Sequence, residues 1–183
     1  MAPAEQTGAT RFSVTGGIFQ DMQTETWIER VIIDQLTTHD RRYKHDYGGV
    51  EQTTDDLVAA CTQLDHVTSG DRSERPSLDE LLTADADFEP EVEAALQTLQ
   101  EKGLIERIGE RERLGPPLEQ GDFGTTVLWE PTVEGRAEAR AIREAYSTEV
   151  EALAESHDEQ SDEFSEEIVS LARTYGILPN YFR

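Results

Sequence analysis

The stretch that decides the fold begins at Ser77, ends at Arg107 and reads SLDELLTADADFEPEVEAALQTLQEKGLIER. An arginine-bearing loop follows, and then the segment TTVLWEPTVEGR at positions 125–136. Leucines at helical spacing predict a short helix and then a longer one, and a glycine at Gly103 after Lys102 is typical of a helix C-terminus. Two strands and a new helix are predicted to follow.

The apolar positions of these elements form a consistent pattern. The longer helix is predicted to begin after Asp87, because Pro90 is favoured in a first helical turn. Its predicted buried face consists of Val92, Ala95, Leu96 and Leu99. The apolar residues that predict the two strands are Leu104, Ile105 and Ile108, and then the stretch 126–129. Thr132, which follows Pro131, is predicted to cap a long helix that ends near Ser156.

Amphipathic helices are also predicted on both sides of this stretch. Thr26 caps a first helix, which is predicted to end before the polar segment 39–49. A second helix begins at Thr53 or Thr54, and the polar segment 66–76 is predicted to be a linker or surface loop. The apolar residues that predict a last helix are Phe164, Ile168, Leu171 and Tyr175.

The order of these elements resembles a winged helix-turn-helix domain of the MarR-like and PadR-like regulators. The pattern LQEKGLIER resembles a recognition helix that leads into a first wing strand, and LWEPTVEGR resembles the return strand and the next helix. The resemblance implies a mainly helical α+β fold with a two-stranded wing and additional N- and C-terminal helices. We expect a flexible arm over 1–23, the winged-helix domain over 24–156, and an acidic linker with a terminal amphipathic helix over 157–183.

Two segments compete for the helix that supports the recognition helix. Residues 77–83 are preferred, because their spacing to the recognition helix resembles that of the family. The alternative is 53–64, which would make the residues between the two helices an insertion.

The composition is strongly acidic, with a formal net charge of -23 and a pI near 4.3. Lys44 and Lys102 are the only lysines. Such a composition resembles that of cytoplasmic proteins of halophilic archaea, where molar salt shortens the Debye length to about 3 Å and screens repulsion. No transmembrane-length apolar run or signal-peptide pattern is present, so we expect a cytoplasmic protein without membrane contact. A single cysteine, Cys61, supplies neither a disulfide framework nor a cysteine zinc site.

The candidate DNA-binding residues fall into three groups. In the recognition helix, the residues expected to contact base edges are Gln97, Thr98 and Gln100. In the wing, the residues expected to contact phosphates or enter the minor groove are Arg107, Arg111 and Arg113. In the densest basic cluster, the residues expected to contact phosphates are Arg41, Arg42 and Lys44. The recognition helix also carries carboxylates, which oppose phosphate binding. They belong to Glu89, Glu91, Glu93 and Glu101.

Other charged groups are interpreted as structural. The arginines expected to pair with acids on their own helix are Arg136, Arg140 and Arg143. The histidine and aspartate pairs that match no closed tetrahedral metal site are His39 with Asp40 and His45 with Asp46. We therefore expect no metal and no cofactor. No catalytic motif rises above the acidic background, so we expect no enzyme.

The leading hypothesis is a DNA-binding transcriptional regulator of winged-helix type, adapted to high salt, that binds double-stranded DNA as a homodimer. The resembled families usually dimerise through helices outside the wing, so that two recognition helices meet two half-sites. The residues predicted to form this interface are Ile142, Tyr146, Val150 and Leu153. The alternative is a winged-helix module that binds a protein within transcription or chromosome machinery.

Overall fold

The computed structural model describes residues 22–43, 51–69, 88–113, 121, 123–157 and 161–178, with only the backbone of residues 39–43. This part of the chain contains five helices and a three-stranded antiparallel sheet, which confirms a mainly helical α+β fold. The helices are α1 (Trp27–Tyr43), α2 (Thr54–Thr68), α3 (Glu89–Glu101), α4 (Val133–Ser156) and α5 (Asp162–Tyr175). The strands are β1 (Gln52–Thr53), β2 (Ile105–Glu112) and β3 (Thr125–Pro131).

α1 lies at the centre of the fold. Its start agrees with the prediction, because the Thr26 hydroxyl accepts a hydrogen bond from the Glu29 amide at 3.2 Å. Every side chain over 28–38 is buried, since the other four helices and β3 all contact α1. Its end differs from the prediction, because the helix continues to Tyr43 through polar residues. Polar side chains alone do not end a helix, and the next glycine is Gly48.

α2 begins with a capping box. The Thr53 hydroxyl accepts from the Asp56 amide at 3.1 Å, and the Asp56 carboxylate accepts from the Thr53 amide at 2.9 Å. The predicted apolar face is buried as expected, at Leu57, Ala60, Cys61 and Leu64. The helix continues to Thr68, and so includes residues that were predicted to belong to a linker. These residues contain no helix breaker, and Ser69 ends the helix by donating its amide to the Asp65 carbonyl at 2.8 Å.

α2 packs directly against α3. The alternative assignment, in which 53–64 supports the recognition helix, requires this contact. The preferred segment, 77–83, lies outside the described residues. The choice between the two segments therefore stays a prediction.

The sheet has the order β1-β3-β2 with antiparallel neighbours. The predicted hairpin is present as β2 and β3, and β1 adds a third strand in which Thr53 lies opposite Leu128. Two residues are too few to show an alternating pattern, so β1 left no signal in the sequence. Ile108 lies in β2 as predicted, and it is 42% exposed at a bulge between Arg107 and Gly109.

α3 buries the four apolar residues predicted for it, namely Val92, Ala95, Leu96 and Leu99. Its N-cap is Phe88 rather than Asp87, and this N-cap makes no side-chain hydrogen bond. A tertiary contact accompanies the shift, because the Phe88 ring packs edge-on against Trp27 with centroids 5.7 Å apart. At the other end Gly103 has a φ of 73°, the left-handed conformation expected after a helix C-cap.

The Thr-x-x-Gly sequence at the start of α4 has a packing role. The Thr132 hydroxyl accepts from the Gly135 amide at 3.1 Å and donates to the Gly103 carbonyl at 2.7 Å. It therefore caps α4 and ties it to the end of α3. A Cβ atom at Gly135 would lie 2.0 Å from the Leu104 carbonyl oxygen, so only glycine fits here.

α5 folds back against α4 and also contacts α1 and α2. The Ser161 hydroxyl caps it by accepting from the Phe164 amide at 3.1 Å, and Gly176 ends it with a φ of 64°. Tyr175 is fully buried, so the terminal helix belongs to the same core. None of the described helices combines the length and apolar character needed to cross a membrane.

Candidate nucleic-acid interface

The solvent side of α3 carries the polar residues predicted to contact base edges. Gln97 and Gln100 are exposed, and Thr98 is half-buried. Gln97 Nε2 donates to Glu101 Oε1 at 3.1 Å, and Thr98 Oγ1 donates to the Ala94 carbonyl at 3.0 Å. Both bonds lie within the helix, so no other described element holds the side chain of Gln97 or Thr98.

The same side of α3 is acidic, with exposed carboxylates at Glu89, Glu91, Glu93 and Glu101. Lys102 follows directly but bonds elsewhere: its Nζ donates to the Gln23 carbonyl at 2.8 Å, to Glu25 at 3.1 Å and to Glu29 at 3.3 Å. Burial opposes the ammonium charge, but the hydrogen bonds with Glu25 and Glu29 outweigh it and raise the pKa of Lys102. Lys102 therefore neutralises carboxylates near the start of α1, not those of α3.

Arg113, directly after β2, joins the hairpin to the helices. Its Nε and Nη2 donate to the two oxygens of Asp55 at 3.0 Å and 2.9 Å, and Glu89 lies 3.8 Å away. The hydrogen bonds and charge of Asp55 raise the pKa of Arg113. The predicted phosphate contact would require Arg113 to leave Asp55.

The β2 bulge separates the other two arginines of the hairpin. Arg107 lies opposite Trp129 and Arg111 opposite Thr126. Opposed residues of an antiparallel pair share a face and successive residues alternate, so the two arginines lie on opposite faces. Arg107 pairs with Glu110. Arg111 is exposed, and within the described ranges its side chain forms no hydrogen bond or ion pair.

The basic cluster begins on the last turn of α1. Arg41 and Arg42 lie on the last turn of α1, but their side chains are outside the described residues, as is all of Lys44. The predicted phosphate contacts of this cluster stay a prediction. The predicted arm also lies largely outside the described residues, except that Met22 packs against the core and Gln23 bonds Lys102.

The predicted dimer stripe is partly used within one chain. Ile142 is fully buried in the core, which contradicts its predicted place at an interface. Tyr146 is half-buried and packs edge-on against Tyr175, with ring centroids 5.9 Å apart. Val150 and Leu153 are half-buried. At Ile142 and Tyr146, the same chain therefore covers the apolar stripe.

The arginines of α4 also differ from the prediction of pairs along one helix. Arg136 pairs with Glu130 of β3 at 3.7 Å, and Arg143 pairs with Asp34 of α1 at 2.6 Å. Arg140 is exposed and forms no ion pair in the described part of the chain. Helical spacing identifies neighbours along a helix, but it does not show which acid of another element lies closer.

A buried polar network, which the sequence did not reveal, holds the segment before α1. Thr24 is 2% exposed and donates its amide and hydroxyl to Glu138, both at 2.9 Å. Arg30 donates to the Thr24 carbonyl at 3.2 Å and to the Thr174 carbonyl at 2.7 Å. Burial lowers the pKa of Arg30, although Glu29 and Glu138 favour its charge. No local pattern distinguished Glu138 from the many exposed acids.

Metal-binding and thiol chemistry were the other candidate functions of the sequence. No three His, Cys, Asp or Glu side chains of the described residues are grouped so that they could hold a metal ion. The side chains of both predicted histidine–aspartate pairs lie outside the described residues. Cys61 is fully buried, and burial raises the pKa of its thiol to about 12. A thiol in this environment packs rather than reacts.

No protein-family model, no curated protein and no solved structure matches this chain. The candidate interface, formed by α3 and the β2–β3 hairpin, is therefore interpreted from its own geometry.

Proposed function

We propose that this chain is a winged-helix DNA-binding protein, a transcriptional regulator adapted to high salt. The arrangement of α2, α3 and the β2–β3 hairpin carries the proposal. α2 packs against α3, α3 buries only its apolar face, and the hairpin follows α3 directly. This order leaves the polar side of α3 free for a major groove, as in other helix-turn-helix proteins.

Gln97 and Gln100 are the proposed base-reading residues, because a glutamine amide can donate to N7 and accept from N6 of adenine. Arg111 is the proposed phosphate contact, since its exposed guanidinium is not engaged by another described residue. The α3 carboxylates repel phosphates, and molar salt reduces this repulsion by screening within about 3 Å. Binding is therefore expected in molar salt.

Fluorescence anisotropy with a random-sequence duplex pool, from dilute to molar KCl, tests the proposal. We expect saturable binding and enrichment of a sequence motif. Arg111→Ala should weaken binding to all sequences alike, whereas Gln97→Ala with Gln100→Ala should flatten the sequence preference. Arg140→Ala, which removes an exposed arginine of α4, is the matched control and should leave binding unchanged. Absence of duplex binding at every salt concentration would overturn the proposal.

The second candidate function is docking of a basic protein surface. It is favoured by the α3 carboxylates, of which only Glu89 lies within 4 Å of a described base, Arg113 at 3.8 Å. The double substitution Glu91→Gln with Glu93→Gln separates the two functions. It removes repulsion of phosphates and should strengthen duplex binding, but it should weaken the binding of a basic partner.

We also propose that the chain acts as a homodimer, so that two copies of α3 can meet two half-sites. Val150 and Leu153 are the stripe residues best placed for an interface, because they are only half-buried, whereas Ile142 is fully buried and Tyr146 packs against Tyr175. Light scattering in molar salt should give twice the 20.6 kDa chain mass. Val150→Glu with Leu153→Glu should give folded monomers, and a monomeric wild-type chain would overturn this part of the proposal.

A further inference from the structure

A cleft of about 380 Å³ lies between α1 and α4, and none of its lining residues belongs to α3 or the hairpin. Its volume falls within the range of small-molecule sites, about 300–1,000 Å³. Its polar lining consists of Thr37 from α1 and Arg140, Arg143, Glu144, Ser147 and Thr148 from α4. The side chains of this cleft take no part in the proposed contact with DNA.

Arg143 supplies a guanidinium that is already held in place. Its Nε donates to Asp34 Oδ1 at 2.7 Å, and its Nη2 contacts both Asp34 and Thr38. These bonds occupy one edge of the planar group and fix its orientation. Nη1 makes no hydrogen bond in the described part of the chain, so its N–H groups remain for an acceptor in the cleft.

Arg140 and Glu144 place one unpaired charge of each sign in the same cleft. Both side chains are exposed, and no ion pair joins either of them to another described residue. They are four residues apart, so they lie on one side of α4. An arginine that precedes the acid has the less favourable order for a pair at this spacing, and exposed pairs are weak. A ligand that carries one negative and one positive group can therefore bind Arg140 and Glu144 at the same time.

Thr37 supplies a hydroxyl that lacks a partner. It is 3% exposed, and its Oγ1 has no hydrogen-bond partner among the described residues. Other helical threonines of this structure, Thr62, Thr68, Thr98, Thr148 and Thr174, donate to the carbonyl four residues earlier. A buried hydroxyl without a partner among the described residues costs free energy, and a ligand group that reaches Thr37 Oγ1 would remove that cost.

We propose that this cleft binds a small zwitterion, an α-amino acid with a neutral side chain. Arg140 and Arg143 Nη1 bind its carboxylate, Glu144 binds its ammonium group, and Thr37 and Ser147 provide hydroxyls. A zwitterion offers an opposite charge to Arg140 and to Glu144, neither of which pairs with another described residue. It also has no net charge, so the net charge of -23 on the chain does not repel it as it would an anion. The site stands independently of the proposed DNA binding.

Isothermal titration calorimetry in molar KCl tests the proposal with the neutral α-amino acids one by one. Acetate, methylammonium and inorganic phosphate serve as probes that carry only one kind of charge. At least one amino acid should bind with one site per chain, and about tenfold or more tighter than acetate or methylammonium. Arg140→Gln and Glu144→Gln should each weaken this binding by about tenfold, and Thr37→Val should weaken it less.

Arg111→Gln and Glu163→Gln are the matched controls, because both remove exposed charges of other elements. They should leave amino-acid binding unchanged. The proposal is overturned if no amino acid binds, if Arg140→Gln and Glu144→Gln have no effect, or if acetate or phosphate binds as tightly as the best amino acid. None of these outcomes bears on DNA binding, because the cleft and α3 share no residue.

Discussion

α1 and α3 differ in where they place their polar residues. α1 buries six of them, Glu29, Arg30, Asp34, Gln35, Thr37 and Thr38, together with its apolar residues. α3 buries only apolar residues, and its four carboxylates are exposed. The two helices contact one another, so the difference arises from what covers each of them.

The difference separates the part of the molecule that holds the fold from the part that is free for a partner. Buried charges on α1 have internal partners, such as Lys102 for Glu29 and Arg143 for Asp34. Burying a charge is costly unless it is paired and hydrogen-bonded, so these contacts fix α1 within its surroundings. The carboxylates of α3 stay in water, so the surface of α3 can change without loss of the fold.

The largest expected effect comes from the glycine that packs against α1. Gly176 and Gly103 have φ values of 64° and 73°, but a Cβ at Gly176 would lie 2.5 Å from Val31 N, whereas one at Gly103 would meet nothing within 4 Å. Gly176→Ala should therefore cost about 3 kcal/mol or more of unfolding free energy, and Gly103→Ala about 1–2 kcal/mol. Denaturant unfolding in molar KCl measures both. Equal losses would contradict the close packing of this glycine against α1.

A smaller effect is expected from removing a buried carboxylate of α1. Asp34 is 3% exposed and holds Arg143, so Asp34→Ala should lower the unfolding free energy by roughly 2–3 kcal/mol. Glu93→Ala, at an exposed position of α3, is the control and should change the unfolding free energy by less than about 0.5 kcal/mol. The comparison of the two helices fails if both substitutions have the same effect in chemical denaturation.

Cys61 of α2, a helix that contacts both α1 and α3, gives a pH-dependent test of the core. Its pKa is raised from 9.0 to about 12 in the folded chain, so the neutral thiol is favoured by folding. This contribution is fully present below pH 9 and is lost as pH rises toward 12, with about 1.4 kcal/mol gone by pH 10.

Cys61→Ala removes only this titration and leaves those of Tyr175 and Lys102 in place. Unfolding free energies should therefore fall less steeply between pH 8 and pH 10 in the variant than in wild type. Parallel pH profiles would show that the thiol is not held in its neutral form.

The smallest effect is expected from the carboxylates of α3. Glu91→Gln with Glu93→Gln should raise the unfolding free energy in dilute buffer by roughly 0.5 kcal/mol, because it reduces the repulsion of an acidic chain. In molar KCl the gain should disappear through screening. Melting temperatures over a KCl series measure this, and an equal gain at every salt concentration would show that the effect is not electrostatic.

The sequence by itself determined the described helices and the hairpin. Thr26, Thr53 and Thr132 act as helix caps, and the apolar spacing in α2 and α3 identified their buried faces. Gly103 marked the end of α3. These features were readable because a cap or a helical stripe depends on residues within a few positions of one another. The candidate residues Gln97 and Gln100 were identified for the same reason, since they lie on the side of α3 opposite its leucines.

Only the tertiary structure decided which polar residues are used inside the chain. It joined Arg113 to Asp55, Arg143 to Asp34 and Thr24 to Glu138, and it buried Ile142 beneath other elements. The Thr24 and Glu138 positions are 114 residues apart along the chain. In a sequence with 39 acids, each arginine has many possible partners, and periodicity within one helix does not distinguish them. The partner is fixed by where separate helices pack, because an ion pair depends on distance in space and not on spacing in the sequence.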